Sequence, residues 1–141
     1  DFMYLTKPFD GILSMLQEMK EAGIKTAVVS NKPDSTTCKV CEELFGTLLD
    51  LARGGREGVP LKPNPQAIFE TMEDLSVSSE ECLYIGDTGT DMETGKNAGL
   101  YTIGVTWGFR GEDELRQYGA DVIVSSPEEI LAIALGGERK E

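Results

Sequence analysis

Two aspartates four residues apart, Asp87 and Asp91, close the run ECLYIGDTGTD (81–91). An apolar stretch, Gly-Asp, a turn of small residues and a second Asp put two negative charges where burial would oppose them. Carboxylate oxygens only accept, which suits a hard cation such as Mg2+. Upstream, Ser30 and Asn31 follow the apolar run IKTAVV with neutral polar groups, and Lys62 in LKPNP carries a positive charge, with Lys32 a second candidate. A hydroxyl, an amide, a lysine and a magnesium held by carboxylates would together suit a phosphoryl group, whose charge is spread over several oxygens. Each residue also has a plainer reading. Ser30 could cap a helix, Lys62 and Lys32 could be solvated, and Asp91 could merely face the positive end of a helix.

The elements decide whether these residues meet. FDGILSMLQEMKEAG carries Ile12, Met15, Leu16 and Met19 at helical spacing, and Gly23 stops it. IKTAVVS (24–30) reads as a strand, and KPDSTTCKVCEELFG as a helix with Pro33 near its first turn and Gly46 past its end. LLDLARGG (48–55) is a weaker strand. NPQAIFETMEDLS is a third helix, with Asn64 as N-cap, Pro65 first, and Ile68, Met72 and Leu75 as its buried stripe. CLYIGD, YTIGVTWG and ADVIVSS then read as strands, alternating with the helices TDMETGKNAG, GEDELRQYG and SPEEILAIAL. The alternation predicts one α/β domain over 1–141, a mainly parallel sheet with helices on both faces. Ligands of such sheets bind beyond the carboxyl ends of the strands, where SNKPDS, LKPNP and GDTGTD would converge. The charged ERKE at 138–141 is expected to fray.

Composition narrows the chemistry. The chain has 141 residues, 40% of them hydrophobic and 27% charged, with a net charge of −12. That charge disfavours nucleic acid and anionic membranes as partners. There is no histidine, so Ser-His-Asp and Cys-His catalysis are excluded. Cys38 and Cys41 form C-x-x-C, but Cys82 alone remains to join them as a zinc ligand. Both are expected to be small core residues beside Leu44 and Phe45. No apolar stretch approaches the ~18 residues of a spanning helix, and a cytoplasmic protein is expected.

Three stretches in order, VVSNK, LKPNP and YIGDTGTDMETGKNAG, resemble the second, third and fourth motifs of the haloacid dehalogenase (HAD) superfamily. KPFDGILSMLQEMKEAGIK before them and GVTWGFRGEDELRQYGADVIVSSPEEI after them resemble its phosphoglycolate phosphatase-like branch. The resemblance implies a Rossmann-like fold and magnesium-dependent hydrolysis of a small phosphorylated metabolite through an aspartyl-phosphate. It implies that Ser30 bonds the phosphoryl oxygens, Asn31 shapes the adjoining loop, and Lys62 neutralises charge on the phosphoryl group and the attacking carboxylate. Asp87 would bind the metal directly, and Asp91 would hold a water of its shell or brace Lys62. Trp107 and Phe109 would pack beside the site.

The family's first motif, D-x-D-G-T at the end of an apolar strand, has no counterpart here, and neither has the helical cap that follows it. Asp10-Gly11 is a poor substitute: residue 8 is proline, and Ile12 stands where threonine belongs. The chain is therefore expected to be the C-terminal part of a phosphatase, inactive alone. Its central strand, between the strand of Ser30 and that of Asp87, would come from another segment or chain. Two other classes remain open, a non-catalytic magnesium- or phosphate-binding or assembly module and a receiver-like domain. The latter needs a lysine near the last strand, where DVIVSS stands.

Overall fold

A computed structural model describes residues 11–107 and 111–136. Helices and strands alternate through α1 (Ile12–Glu21), β1 (Ala27–Pro33), α2 (Asp34–Phe45), β2 (Leu51–Gly55), α3 (Gln66–Leu75) and β3 (Leu83–Gly86). They continue through α4 (Gly89–Asn97), β4 (Tyr101–Val105), α5 (Glu112–Gln117), β5 (Val122–Val124) and α6 (Pro127–Ala134). Short 3-10 turns at Gly46–Leu48 and Ser79–Glu81 were not legible in the sequence. Every pairing is parallel.

The strands form two sheets. β1 pairs with β2, and β3, β4 and β5 pair in that order. Among the described residues β1 and β3 are not hydrogen-bonded to each other, which agrees with the gap expected between the strands of Ser30 and Asp87. Ile85 on β3 is correspondingly exposed at 39%, unusual for an isoleucine in a strand flanked by helices.

Successive side chains of a strand point to opposite faces, and that alternation builds two cores. Val28 and Leu83 face one cluster, with Met15, Leu16 and Met19 of α1, Cys41 and Phe45 of α2, Ile103, Val124 and Ile130. Val29 and Tyr84 face the other, with Ile68 of α3, Ala98 and Leu100. Helices thus cover both faces, as expected. α1 ends where Gly23 adopts φ +80°. α6 begins with Pro127 after Ser126, whose hydroxyl accepts the Glu129 amide.

Several local readings need correction. β1 starts at Ala27 rather than at residue 24 and runs past Ser30 to Pro33, so Asn31 too lies within the strand, and α2 starts one residue after Pro33. The weak strand is shorter, 51–55. Pro65 is the N-cap of α3 rather than its first residue, yet the Asn64 carboxamide does cap, accepting the Gln66 amide at 2.9 Å. The buried stripe of α3 is Ala67, Ile68 and Thr71, with Met72 and Leu75 only half-buried. Thr71 tolerates burial because its hydroxyl donates to the Ala67 carbonyl and accepts from Arg53. Cys41 is buried, but Cys38 is exposed, lying off the apolar face of α2 with its thiol on the Ala52 carbonyl. Trp107 packs against the first core. Asp10, Phe109 and the 138–141 tail lie outside the described residues. No helix among the described residues is long and apolar enough to cross a membrane.

Amide hydrogen exchange checks the split sheet. β4, bonded on both sides, should be the slowest strand, while β1 and β3 each keep a set of fast amides on the edge facing the gap. Uniform protection across all three strands would contradict this architecture.

Candidate active site

The site is assembled from the ends of β1 and β3 and the loop before α3. Asn31 fixes that loop with both ends of its carboxamide: Oδ1 accepts the Lys62 amide at 2.9 Å, and Nδ2 donates to the Lys62 carbonyl at 3.2 Å. This clamp leaves the Lys62 side chain pointing inward, 8% exposed. Its ammonium donates to Asp91 Oδ1 at 3.0 Å and to the Val29 carbonyl at 3.1 Å. The second Asp91 oxygen accepts the Asp87 amide at 3.2 Å. Asp91 sits in the first turn of α4, where its own amide donates to Thr88 Oγ1, the N-cap, at 3.1 Å.

These contacts separate the two carboxylates. Burial alone would raise Asp91, but the Lys62 ammonium and the hydrogen bonds outweigh it and hold Asp91 at about 2. Asp87, 5% exposed, is pushed up by burial, and the Asp91 charge adds to that. Burial works against the Lys62 charge too, yet the Tyr84 phenol and the Asp91 carboxylate beside it hold it above the ordinary lysine value. Tyr84 itself is raised, chiefly by burial, against the pull of Lys62. At neutral pH the site therefore holds a charged lysine, an ionised Asp91 and a neutral phenol.

Ser30 is buried, and its Oγ accepts the Lys32 amide at 3.1 Å. Lys32 is exposed. A cavity of about 10 Å³ borders Ser30, Asn31 and Lys62, room for about one water. A cavity of this size is too small to enclose a phosphate ester.

Asp87 offers a buried carboxylate whose negative charge is disfavoured by its surroundings, which an arriving cation would reverse. Both Asp91 oxygens already accept hydrogen bonds. Among the described residues no group of three acidic or thiol side chains is arranged to hold a metal. The described residues thus fit part of a hard-cation shell, with Asp87 its principal member.

With this geometry in view, residues 2–105 match the family of haloacid dehalogenase-like hydrolases. The chain belongs to that family. It is 33% identical over 131 residues to the pyrophosphatase PpaX of Halalkalibacterium halodurans, covering 92% of this chain and 60% of that protein. It is 34% identical over 129 residues to the phosphoglycolate phosphatase of Aquifex aeolicus, covering 91% of this chain and 59% of that protein. A crystal structure from Lactobacillus delbrueckii subsp. bulgaricus, assigned as a phosphoglycolate phosphatase, superposes with a TM-score of 0.88 at 40% identity over 92% of this chain and 54% of that one. All three relatives carry phosphatase or pyrophosphatase names, and the similarity to each runs through more than nine-tenths of this chain. The chain spans about 60% of the length of the curated relatives it matches.

The structure brings Lys62, Asp91, Asp87 and Asn31 into one hydrogen-bonded unit and sets Ser30 next to Val29, which holds Lys62. It adds Tyr84, which strand alternation reads only as core, and Glu114, whose carboxylate accepts the Gly89 amide at 2.7 Å. It also explains Gly86: a Cβ there would lie 2.2 Å from that of Asp91.

Two outcomes check the geometry. Gly86→Ala must displace Asp91 and is expected to cost about 2 kcal/mol or more, read by urea unfolding. Because Asp91 is depressed in the fold, its contribution is complete above the ordinary carboxylate value near 4 and is lost as pH falls toward about 2. NMR titration should place its midpoint there, with about 2 kcal/mol of stability lost across that window. A midpoint near 4 would contradict the pairing.

Proposed function

We propose that the intact protein carrying this chain is a magnesium-dependent phosphatase acting on a small phosphate monoester of the phosphoglycolate type. Hydrolysis proceeds in two steps through an aspartyl-phosphate. The 141-residue chain alone turns over little or nothing. The observation that carries this reading is the buried Lys62–Asp91 pair, joined to the Asp87 amide on one side and the end of β1 on the other.

In this reading Asp87 holds the metal, and Asp91 acts mainly through Lys62. Bound Mg2+ supplies charge neutralisation at the phosphoryl oxygens. Lys62, held by the Val29 carbonyl and Asp91 and lying beside the Tyr84 phenol, brings positive charge to the phosphoryl group. Ser30, whose Oγ accepts the Lys32 amide, keeps its own O–H to donate. Asn31 holds the Lys62 backbone in place. A strand from another segment or chain lies between β1 and β3 and brings the attacking carboxylate; the two unjoined sheets support this. We place the protein in the cytoplasm, among small phosphorylated metabolites.

The test is hydrolysis of an aryl phosphate by the full-length protein. Turnover should require Mg2+ and fall at least ~100-fold in Asp87→Asn and in Lys62→Ala. Retention of activity in Asp87→Asn, or independence from added metal, would overturn the reading.

On the 141-residue chain the same variant has a second expected signature. Since burial and Asp91 disfavour a charged Asp87, Asp87→Asn in EDTA should melt at or above the wild-type temperature. Mg2+ should raise the melting temperature of the wild type and leave the variant unchanged.

A further inference from the structure

We propose that Glu114 is a positioning residue, whose carboxylate reaches from α5 to hold the amide that opens α4 and so sets how Asp87 and Asp91 are presented. The proposal rests on the preceding reading for its metal measurement.

The opening amides of a helix have no partner within it. In α4 the Asp91 amide goes to Thr88 Oγ1 and the Met92 amide to the Thr88 carbonyl. The Gly89 amide goes to Glu114 Oε2 at 2.7 Å, twenty-five residues away. A carboxylate on a helix-opening N–H is a charge-assisted bond at the positive end of the helix dipole, stronger than a neutral one. Its effect falls midway between Asp87 and Asp91, in the turn that presents both.

α5 holds the same turn a second way. Gly89 is buried under the Tyr118 ring, so closely that a Cβ would lie 2.5 Å from a ring carbon. α5 is itself anchored by Leu115, fully buried, whose side chain would meet a Cβ on Gly104 of β4 at 3.2 Å. The turn is thus fixed from inside by Thr88 and Lys62 and from outside by Glu114 and Tyr118. Glu114 reaches the turn through the Gly89 amide that it accepts, so its action on a bound ion runs through the backbone of the turn.

The probe is Mn2+, followed by electron paramagnetic resonance on the 141-residue chain, alongside hydrogen exchange of the Gly89 amide. Glu114→Gln keeps an acceptor oxygen and should bind within about threefold of wild type with Gly89 still protected. Glu114→Ala should weaken Mn2+ roughly tenfold and speed Gly89 exchange. Arg116→Ala, which breaks the exposed Arg116–Glu112 pair on the same helix, should change neither. If the alanine variant does not fold, Glu114→Asp keeps the charge and shortens the reach, and it too should lose affinity. Wild-type affinity and unchanged Gly89 protection in Glu114→Ala, or in Glu114→Asp, would overturn the proposal. A wild-type chain that binds no Mn2+ would instead count against Asp87 as a metal ligand within this chain, and Gly89 exchange would still decide the role of Glu114.

Discussion

One buried ammonium group ties the two sheets together. Lys62 donates to the Val29 carbonyl in the β1–β2 sheet and to Asp91 at the head of α4, which packs on the β3–β5 sheet. Burying a charged lysine costs several kcal/mol unless it is paired and hydrogen-bonded, so its partners are constrained in position and in charge. Asp91 must stay ionised to serve Lys62. It then repels a charge on Asp87, whose amide it also accepts. One carboxylate is committed to structure, and its neighbour is left as the acid that gains most from a cation. Two titratable groups driven apart by their surroundings are a recurrent way of assigning different roles to like residues.

Around this tie, contacts between the halves are apolar on one face and sparse on the other. α1 bridges the sheets on one side, its Met15, Leu16 and Met19 joining one apolar cluster with Cys41 and Phe45 of α2, Ile103 of β4, Val124 of β5 and Ile130 of α6. On the other side Ile68, Ala98 and Leu100 meet Val29 and Tyr84, and the Asn97 carboxamide donates to the Pro63 carbonyl at 2.9 Å. Neither set satisfies the strand edges that face the gap. The polar site therefore stands where the fold has least backbone bonding of its own, and its hydrogen bonds also hold the architecture.

Much of this was legible in the sequence, for identifiable reasons. Helices such as α1 and α6 announce themselves through apolar spacing and terminal Gly or Ser-Pro signals, and these depend on local chemistry. The joining of SNK, LKPNP and GDTGTD followed from strand alternation alone, because parallel strands put their carboxyl ends on one side. The split sheet was legible only through the missing first motif. What escaped was set by tertiary partners. Thr71 displaced Met72 and Leu75 from the buried stripe because Arg53 and Ala67 satisfy its hydroxyl. Cys38 missed the core through its place on the turn of α2. The Val29 carbonyl and Glu114 carry no local signal, since one is backbone and the other acts across twenty-five residues.

The most direct test of this account is a double-mutant cycle on the ion pair, with Lys62→Met, Asp91→Asn and the double variant unfolded in urea at pH 7. Either single change leaves a buried group without its partner and should cost about 3 kcal/mol or more. The double variant should be far less destabilised than the sum, with a coupling of about 2 kcal/mol. Additivity to within about 0.5 kcal/mol would mean that Lys62 and Asp91 are not the tie described, and the account of the site would fall with it.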